Sequence, residues 1–307
     1  MNLRQLGYFV QIAELQSITR AANVLHVAQP SLSRQVQMLE HELGVMLLVR
    51  SDKGVKLTEA GSALLERANG VLQQVRQIRD ELGLHAMVPH GALSFGVPPS
   101  LFDLLTVPLV SEFRERYPEV RLLVTEGVSA DMHELVLTGK LDTAIVSDAE
   151  PLGMMRSRVL FREQLYLVGP PDAGLDAQVE IPVSSLADHR LILTSKPNAM
   201  RVIVESAIAQ AGQRIQPAAE ANSSRLLCEL AARGGGFTVL PFTAVNVAFR
   251  AGRLTIAPVK GLTVTWTLIT SRERTLSLAG QKLRGMISDV GRRRIEAGGW
   301  TGVMALD

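Results

Sequence analysis

The 307-residue sequence has little cysteine, little net charge and no long apolar run. Its one thiol, Cys228, excludes an internal disulfide and a cysteine-built metal cluster, and fits a reducing, cytoplasmic setting. A formal net charge of +2 rules out a general polycation, so any affinity for nucleic acid must come from a local patch. No stretch reaches the length of a membrane span. Met1 to Leu15 carries Arg4 and Glu14 through an amphipathic pattern, so neither a targeting signal nor a membrane partner is expected. The histidines, His26, His41, His85, His90, His133 and His189, are scattered without metal-ligand spacing. No paired carboxylates or Ser-His-Asp order stands out, and no catalytic residue, metal or cofactor is expected.

What is present is a globular composition, 47% hydrophobic and 20% charged, with room for two or three domains. The stretch Gln29-Pro30-Ser31-Leu32-Ser33-Arg34-Gln35-Val36 orders the N-terminal part. Pro30 suits the first helical position, and Leu32, Val36, Leu39 and Leu43 recur at helical spacing, so a helix starts there with one apolar side. Its outward residues are hydroxyls, a guanidinium and amides with no carboxylate among them, the side chains that read base edges and grip phosphates. Ser17 is a good N-cap for a short helix from about Ile18 to Leu25, and Ala21-Ala22 lets a second helix cross closely. His26 to Gln29 then makes the corner of a helix-turn-helix without the frequent glycine. Val49 to Ser51 and Val55 to Leu57 flank a hairpin tip at Lys53-Gly54, a candidate wing carrying Arg50, Lys53 and Lys56. Leu3, Leu6, Phe9, Val10 and Ala13 predict a scaffold helix over residues 2–15. Phe9 reads as core and Tyr8 is left open.

These residues form a dense signature. Ala21-Ala22, Leu25-His26, Gln29-Pro30-Ser31-Leu32-Ser33, Leu39-Glu40, Glu42-Leu43-Gly44, Leu47-Leu48, Arg50 and Leu57-Thr58-Glu59-Ala60-Gly61 resemble the winged helix-turn-helix of LysR-type transcriptional regulators. The resemblance extends over nearly the whole chain. It implies a DNA-binding domain (1–58), a linker helix (59–87) that pairs across subunits, and a two-lobed periplasmic-binding-protein-like α/β effector domain (91–307). Lobe I is expected over about 91–163 and 268–307, lobe II over about 164–267. It also implies a homodimer that assembles further into a homotetramer. The residues themselves support the linker: Thr58 and Glu59 suit a helix start, and Leu64, Ala68, Val71, Val75, Ile78 and Leu82 follow a heptad seam that wants a partner helix. The competing reading is a helix lying on its own domain. Twofold pairing would place two recognition helices on successive major grooves of double-stranded promoter DNA.

Near Met87-Val88-Pro89-His90-Gly91 proline and glycine break the pattern at a hinge. Leu93 to Val97, Val120 to Thr125 and Leu141 to Val146 are strand candidates alternating with helical segments at about Ser100 to Tyr117 and Asp131 to Leu137, which predicts parallel βαβ units. A second set places strands near Leu165 to Val168, Leu191 to Thr194, Ala218 to Ala221 and Phe237 to Leu240, with helices near Ala199 to Ala211 and Ser224 to Arg233. Leu262 to Thr270 is a long returning strand, and Ser277 to about Ile295 a closing helix.

Such a fold binds ligands at the carboxyl ends of its strands, beside helix N-termini. That rule nominates Ser100, Ser129, Asp148, Ser195, Asn198, Arg201 and Asn222 for a small-molecule effector, with a small anion favoured. Each Ser or Asn is equally an ordinary N-cap. Val128 departs from the family resemblance, where a hydroxyl residue often stands. Asp148 would repel an anion unless Lys196 or Arg201 balances it, which leaves a zwitterion or polyol open. Gly234-Gly235-Gly236 reads as a helix C-terminal turn, Cys228 as a buried structural thiol, and Arg292-Arg293-Arg294 as a solvated face. Two function classes result: a ligand-responsive DNA-binding transcription factor, or a small-molecule binding protein or enzyme whose N-terminal helices only assemble it.

Overall fold

The computed structural model describes residues 1–51, 54–82, 88–147 and 153–305. The chain divides into two compact units that part near residue 86. The first begins with α1 (Leu3–Leu15), whose Asn2 and Gln5 cap one another reciprocally at 2.9 and 3.0 Å. Ser17 caps α2 (Ile18–Val24) as expected. The corner that follows turns at His26, held at φ +53°, the left-handed position usually given to glycine. Val27 N donates back to Ala22 O at 3.0 Å and closes it. Helix α3 (Gln29–Leu43) starts one residue before the position expected from Pro30, which is its second residue and still loses no hydrogen bond. Phe9, Ile12, Ala21, Leu32 and Leu39 are fully buried where these three helices meet, and Tyr8 is buried too, its hydroxyl accepting from Arg4 Nε at 2.7 Å.

Strands β1 (Leu48–Ser51) and β2 (Gly54–Leu57) form the anticipated hairpin, Ser51 opposite Gly54. Glu40, buried on α3, accepts from Leu47 N and Leu48 N at 2.8 and 3.1 Å and so fixes where the hairpin begins. Thr58 caps α4 (Glu59–Leu82), donating to Met46 O and accepting from Gly61 N. The first half of α4 lies on its own unit: Ala68 is buried, and Leu64, Leu65 and Leu72 pack on the same core. Part of the seam is therefore spent at home. Val71 and Ile78 remain 40% and 53% exposed.

The second unit opens with β3 (Gly91–Val97), then α5 (Val107–Arg116), β4 (Val120–Glu126), α6 (Ser129–Leu137) and β5 (Thr143–Ser147). Strand β3 pairs in parallel with both β4 and β5, the predicted βαβ arrangement. The helical stretch expected from Ser100 is instead a 3-10 turn at Pro99–Leu101 and a π turn at Phe102–Thr106 before α5. Pro108 at the start of α5 has no N-H to continue a regular ladder into the preceding turn. Then β6 (Met155–Gly169) crosses to β7 (Ile192–Leu193), α7 (Ala199–Gln210), β8 (Ala219–Glu220), α8 (Ser224–Ala232), β9 (Thr238–Pro241) and α9 (Phe242–Arg250). Strand β10 (Thr255–Ser271) returns antiparallel to β6, with register interruptions between Pro258 and Thr263 and between Trp266 and Thr267. Helix α10 (Leu278–Glu296) and β11 (Val303–Ala305), paired with β6 at Phe161 to Glu163, close the chain.

Three further parts differ from the sequence reading. Strand β6 starts ten residues before Leu165 and β10 seven before Leu262, so both crossings are longer. Helix α9 and strand β11 were not anticipated. Among the described residues no helix is long and apolar enough to cross a membrane.

Candidate functional site

Two surfaces carry chemistry, one in each unit. In the first, α3 buries Leu32, Val36, Leu39 and Glu40, which by helical periodicity turns the other side outward. Gln29, Ser31 and Arg34 are exposed there, and Ser33 and Gln35 are half-buried. The N-cap is Ala28, which offers no side-chain acceptor. The first backbone N-H groups of α3 therefore stay available to an external oxyanion, at the positive end of a 15-residue helix. Arg50 sits opposite Val55 on the hairpin, its side chain outside the described residues, as is Lys53. Lys56, opposite Val49, is exposed.

In the second unit a cleft of about 70 Å³ opens where the strands end. Ser100, Ser129 and Ser147 line it from the ends of β3, β4 and β5, and Thr194, Asn198, Asn222 and Ser224 from the opposite lobe. Trp266, on the returning strand, forms a wall. Ser129 Oγ lies 2.9 Å from Ser147 Oγ and accepts from Ser147 N at 3.0 Å, which ties the start of α6 to the end of β5. Asn198 Oδ1 caps α7 by accepting from Met200 N at 2.9 Å, so its carbonyl is occupied by the N-cap role. Helices α6, α7 and α8 all begin at this cleft, presenting N-H groups and partial positive charge. Among the described residues its lining has no charged side chain.

Of the seven expected cleft residues, Ser100, Ser129, Asn198 and Asn222 do line it, and Asp148 lies outside the described residues. Two expectations are corrected. Arg201 is 4% exposed and turned into lobe II, donating to Thr194 O at 3.0 Å and pairing with Glu205 and Glu220 at 2.8 and 3.0 Å. Ser195 is not in the lining; Thr194 takes its place, and Ser195 O accepts from Asn198 N in the turn before α7. Lys196, the other cation considered as a counterweight, pairs with Glu205 at 2.7 Å. Lys196 first, and Arg201 with it, hold the Glu205 carboxyl below its ordinary range.

Sequence reasoning missed Thr194 and Trp266, and placed Ser147 and Ser224 at strand-to-helix turns of the crevice without giving them a ligand role. Ser147 and Thr194 end strands and were legible by the same rule that found Ser129. Trp266 lies inside a strand and gave no such signal. Cys228 is buried, with burial pushing its thiol up to about 11, and Gly234 to Gly236 close the C-terminus of α8, both as expected.

Residues 3–62 match the family of bacterial regulatory helix-turn-helix proteins, lysR family, and residues 87–292 match the LysR substrate binding domain. The chain belongs to the LysR family of transcriptional regulators. A LysR regulator of this kind binds DNA through its helix-turn-helix unit and carries an effector-binding domain. The HTH-type transcriptional regulator BbuR of Bordetella bronchiseptica is 34% identical over 299 residues, covering 97% of this chain and 92% of that protein. The nitrogen assimilation regulatory protein nac of Klebsiella aerogenes is 34% identical over 247 residues, 80% of each chain. A full-length OxyR variant from Pseudomonas aeruginosa superposes with a TM-score of 0.76 at 27% identity, over 95% of both chains. Full-length CbnR complexed with its target DNA superposes with a TM-score of 0.67 at 24% identity, over 95% of this chain and 99% of that one, a likeness of fold. The relatives named here are LysR-type regulators and not enzymes.

Proposed function

We propose that this LysR regulator reads double-stranded promoter DNA with Gln29, Ser31, Ser33, Arg34 and Gln35, and that Arg50 and Lys53 clamp flanking phosphates. The observation that carries the reading is the uncapped N-terminus of α3 beside an exposed shoulder of hydroxyls, amides and one guanidinium. Backbone N-H groups position a phosphate there, while Arg34 and Gln35 are long enough to reach base edges. Residues 1–58 act as the DNA-binding domain, 59–87 as a dimerising linker and 91–307 as the effector domain, in a cytoplasmic homodimer that assembles into a homotetramer. Paired half-sites then lie about one helical turn apart.

The cleft takes a small ligand held by hydroxyls, amides and helix N-termini. With Arg201 and Lys196 already paired to carboxylates, a singly charged carboxylate, a zwitterion or a polyol fits it better than a polyanion. Ligand closure of the lobes shifts DNA affinity only as far as the ligand prefers one arrangement.

Fluorescence anisotropy on duplexes from the regulator's own upstream region tests the first part. Arg34→Ala is expected to cost about 1–3 kcal/mol on the specific site, and Lys53→Ala to weaken specific and random duplexes alike. The reverse pattern, or no sequence preference in the wild type, would overturn the assignment. A metabolite screen by thermal shift on the full chain tests the second part; no stabilising ligand would refute an effector role for the cleft.

A further inference from the structure

A second depression lies away from the cleft, where β6, β10 and α10 meet. The antiparallel register sets Arg158 opposite Leu268 and Arg156 opposite Thr270. Residues two apart on a strand share a face, so both guanidiniums leave the sheet on the same side. Arg274, in the segment leading to α10, and Arg284 on that helix supply the remaining walls. The depression encloses about 240 Å³, room for roughly eight waters at about 30 Å³ each. Leu268 and Leu276 add apolar surface to the lining.

Four arginines line it, and among the described residues the lining holds no carboxylate. Arg156, Arg158 and Arg284 are exposed, and among the described residues none of the three side chains has an ion pair or hydrogen bond. Arg274 is half-buried and donates to Val136 O. Burial pushes its guanidinium below the ordinary value, while Asp142 and Glu273 act in the opposite direction. Like charges gathered around one hollow repel in proportion to how far water is excluded, and a bound anion with several negative oxygens removes that repulsion. The guanidinium suits this role, because its planar fork meets a carboxylate or phosphate with two parallel hydrogen bonds. The uncharged cleft and this hollow therefore select for different ligand chemistry.

We propose that the hollow between β6, β10 and α10 is a second ligand site, taking a small multivalent anion such as a phosphorylated or polycarboxylic metabolite. The site joins the two crossing strands to α10, so an anion seated there bears on the same ribbon that connects the lobes. This reading does not rest on the assignment of the cleft or of the DNA-reading helix.

Isothermal titration calorimetry of the full-length protein with sodium pyrophosphate and with sodium citrate, at matched ionic strength, tests it. One saturable site per chain is expected for at least one of the two, and the tighter of them identifies a phosphate-bearing or a polycarboxylic ligand. The double variant Arg158→Ala, Arg284→Ala should bind at least about tenfold more weakly, since two charge-assisted pairs are lost. Its circular dichroism should match the wild type, because both side chains are exposed. Arg158→Lys keeps the charge and loses the fork, and should fall between the two. Arg34→Ala and Asn222→Ala should leave the titration unchanged. Absence of saturable heat with both anions overturns the proposal. So does loss of binding in Arg34→Ala, which would put the anion on the DNA face, or in Asn222→Ala, which would put it in the cleft. A double variant that changes sedimentation of the anion-free protein while anion affinity stays constant would make the hollow a subunit contact and equally overturn it.

Discussion

Trp266, one wall of the cleft, donates its indole N-H to Glu163 Oε2 at 2.7 Å. Glu163 is fully buried on β6 and also accepts from Thr243 N, Thr243 Oγ1 and Trp300 Nε1 at 2.8, 3.1 and 3.1 Å. One carboxylate thus holds β6, β10, the start of α9 and the C-terminal segment together. Glu163→Gln places an NH2 group against two of these donors and should cost about 2–4 kcal/mol in urea unfolding at about pH 4.5, where the wild-type contribution is complete. A variant as stable as the wild type would show that the cluster does not organise the fold.

The same residue sets a pH dependence. Burial pushes the Glu163 carboxyl up to about 7 from 4.5, against the pull of its four donors. Between those values the native state binds more protons than the unfolded chain, so this group's contribution is complete below about 4.5 and is lost as pH rises through about 7. Wild type should lose up to about 3 kcal/mol across that window relative to Glu163→Gln. Parallel stability profiles for the two proteins would contradict the shift.

Gly61 shows how close approach can reverse a propensity. A Cβ there would collide with the Leu47 carbonyl oxygen, which is backbone and cannot swing away. Alanine ordinarily gains about 0.5–1 kcal/mol over glycine within a helix, whereas overpacking costs about 1–3. Gly61→Ala is therefore expected to lower the melting temperature, and a rise would mean that α4 can shift away from β1.

The C-terminal half of the α4 seam predicts an assembly defect without a folding defect. Val75→Asp lies beyond Ala68 and Leu72, which pack on the first unit's own core. Sedimentation should show dissociated dimers while circular dichroism stays unchanged; an unaltered sedimentation coefficient would remove the linker from the interface.

Arg201 separates a structural cation from a ligand-binding one. Arg201→Met removes the partner of Glu205 and Glu220, both partly exposed, and should cost about 1–2 kcal/mol of stability. Ligand-dependent thermal shifts at the cleft should keep their size, and their loss would return Arg201 to the site.

The helix-turn-helix, the hairpin and the parallel βαβ units were legible because each rests on local signals: Ser17 as cap, Pro30 at a helix start, apolar spacing, and strand-to-helix turns. Residues whose role depends on distant partners were not. Glu40 reads as a solvated helical carboxylate until Leu47 and Leu48 fold back onto it. Arg201 reads as a free cation at a helix start, and only the pairing of β7 with β8 brings Glu220 to it. Helix α9 was hidden because its valines favour a strand in isolation, although Phe242, Val245 and Ala248 are buried at helical spacing. Strand β11 is three residues long and exists through its pairing with β6.

Strands β6 and β10 are also a mechanical element. The two lobes share a continuous antiparallel ribbon, so rotating one against the other is torsion of that ribbon, with no loop to be remade. Torsion concentrates where rungs are missing, and one such gap lies immediately after Trp266. A molecule pressing on that indole would push beside one of the two interruptions of the spring.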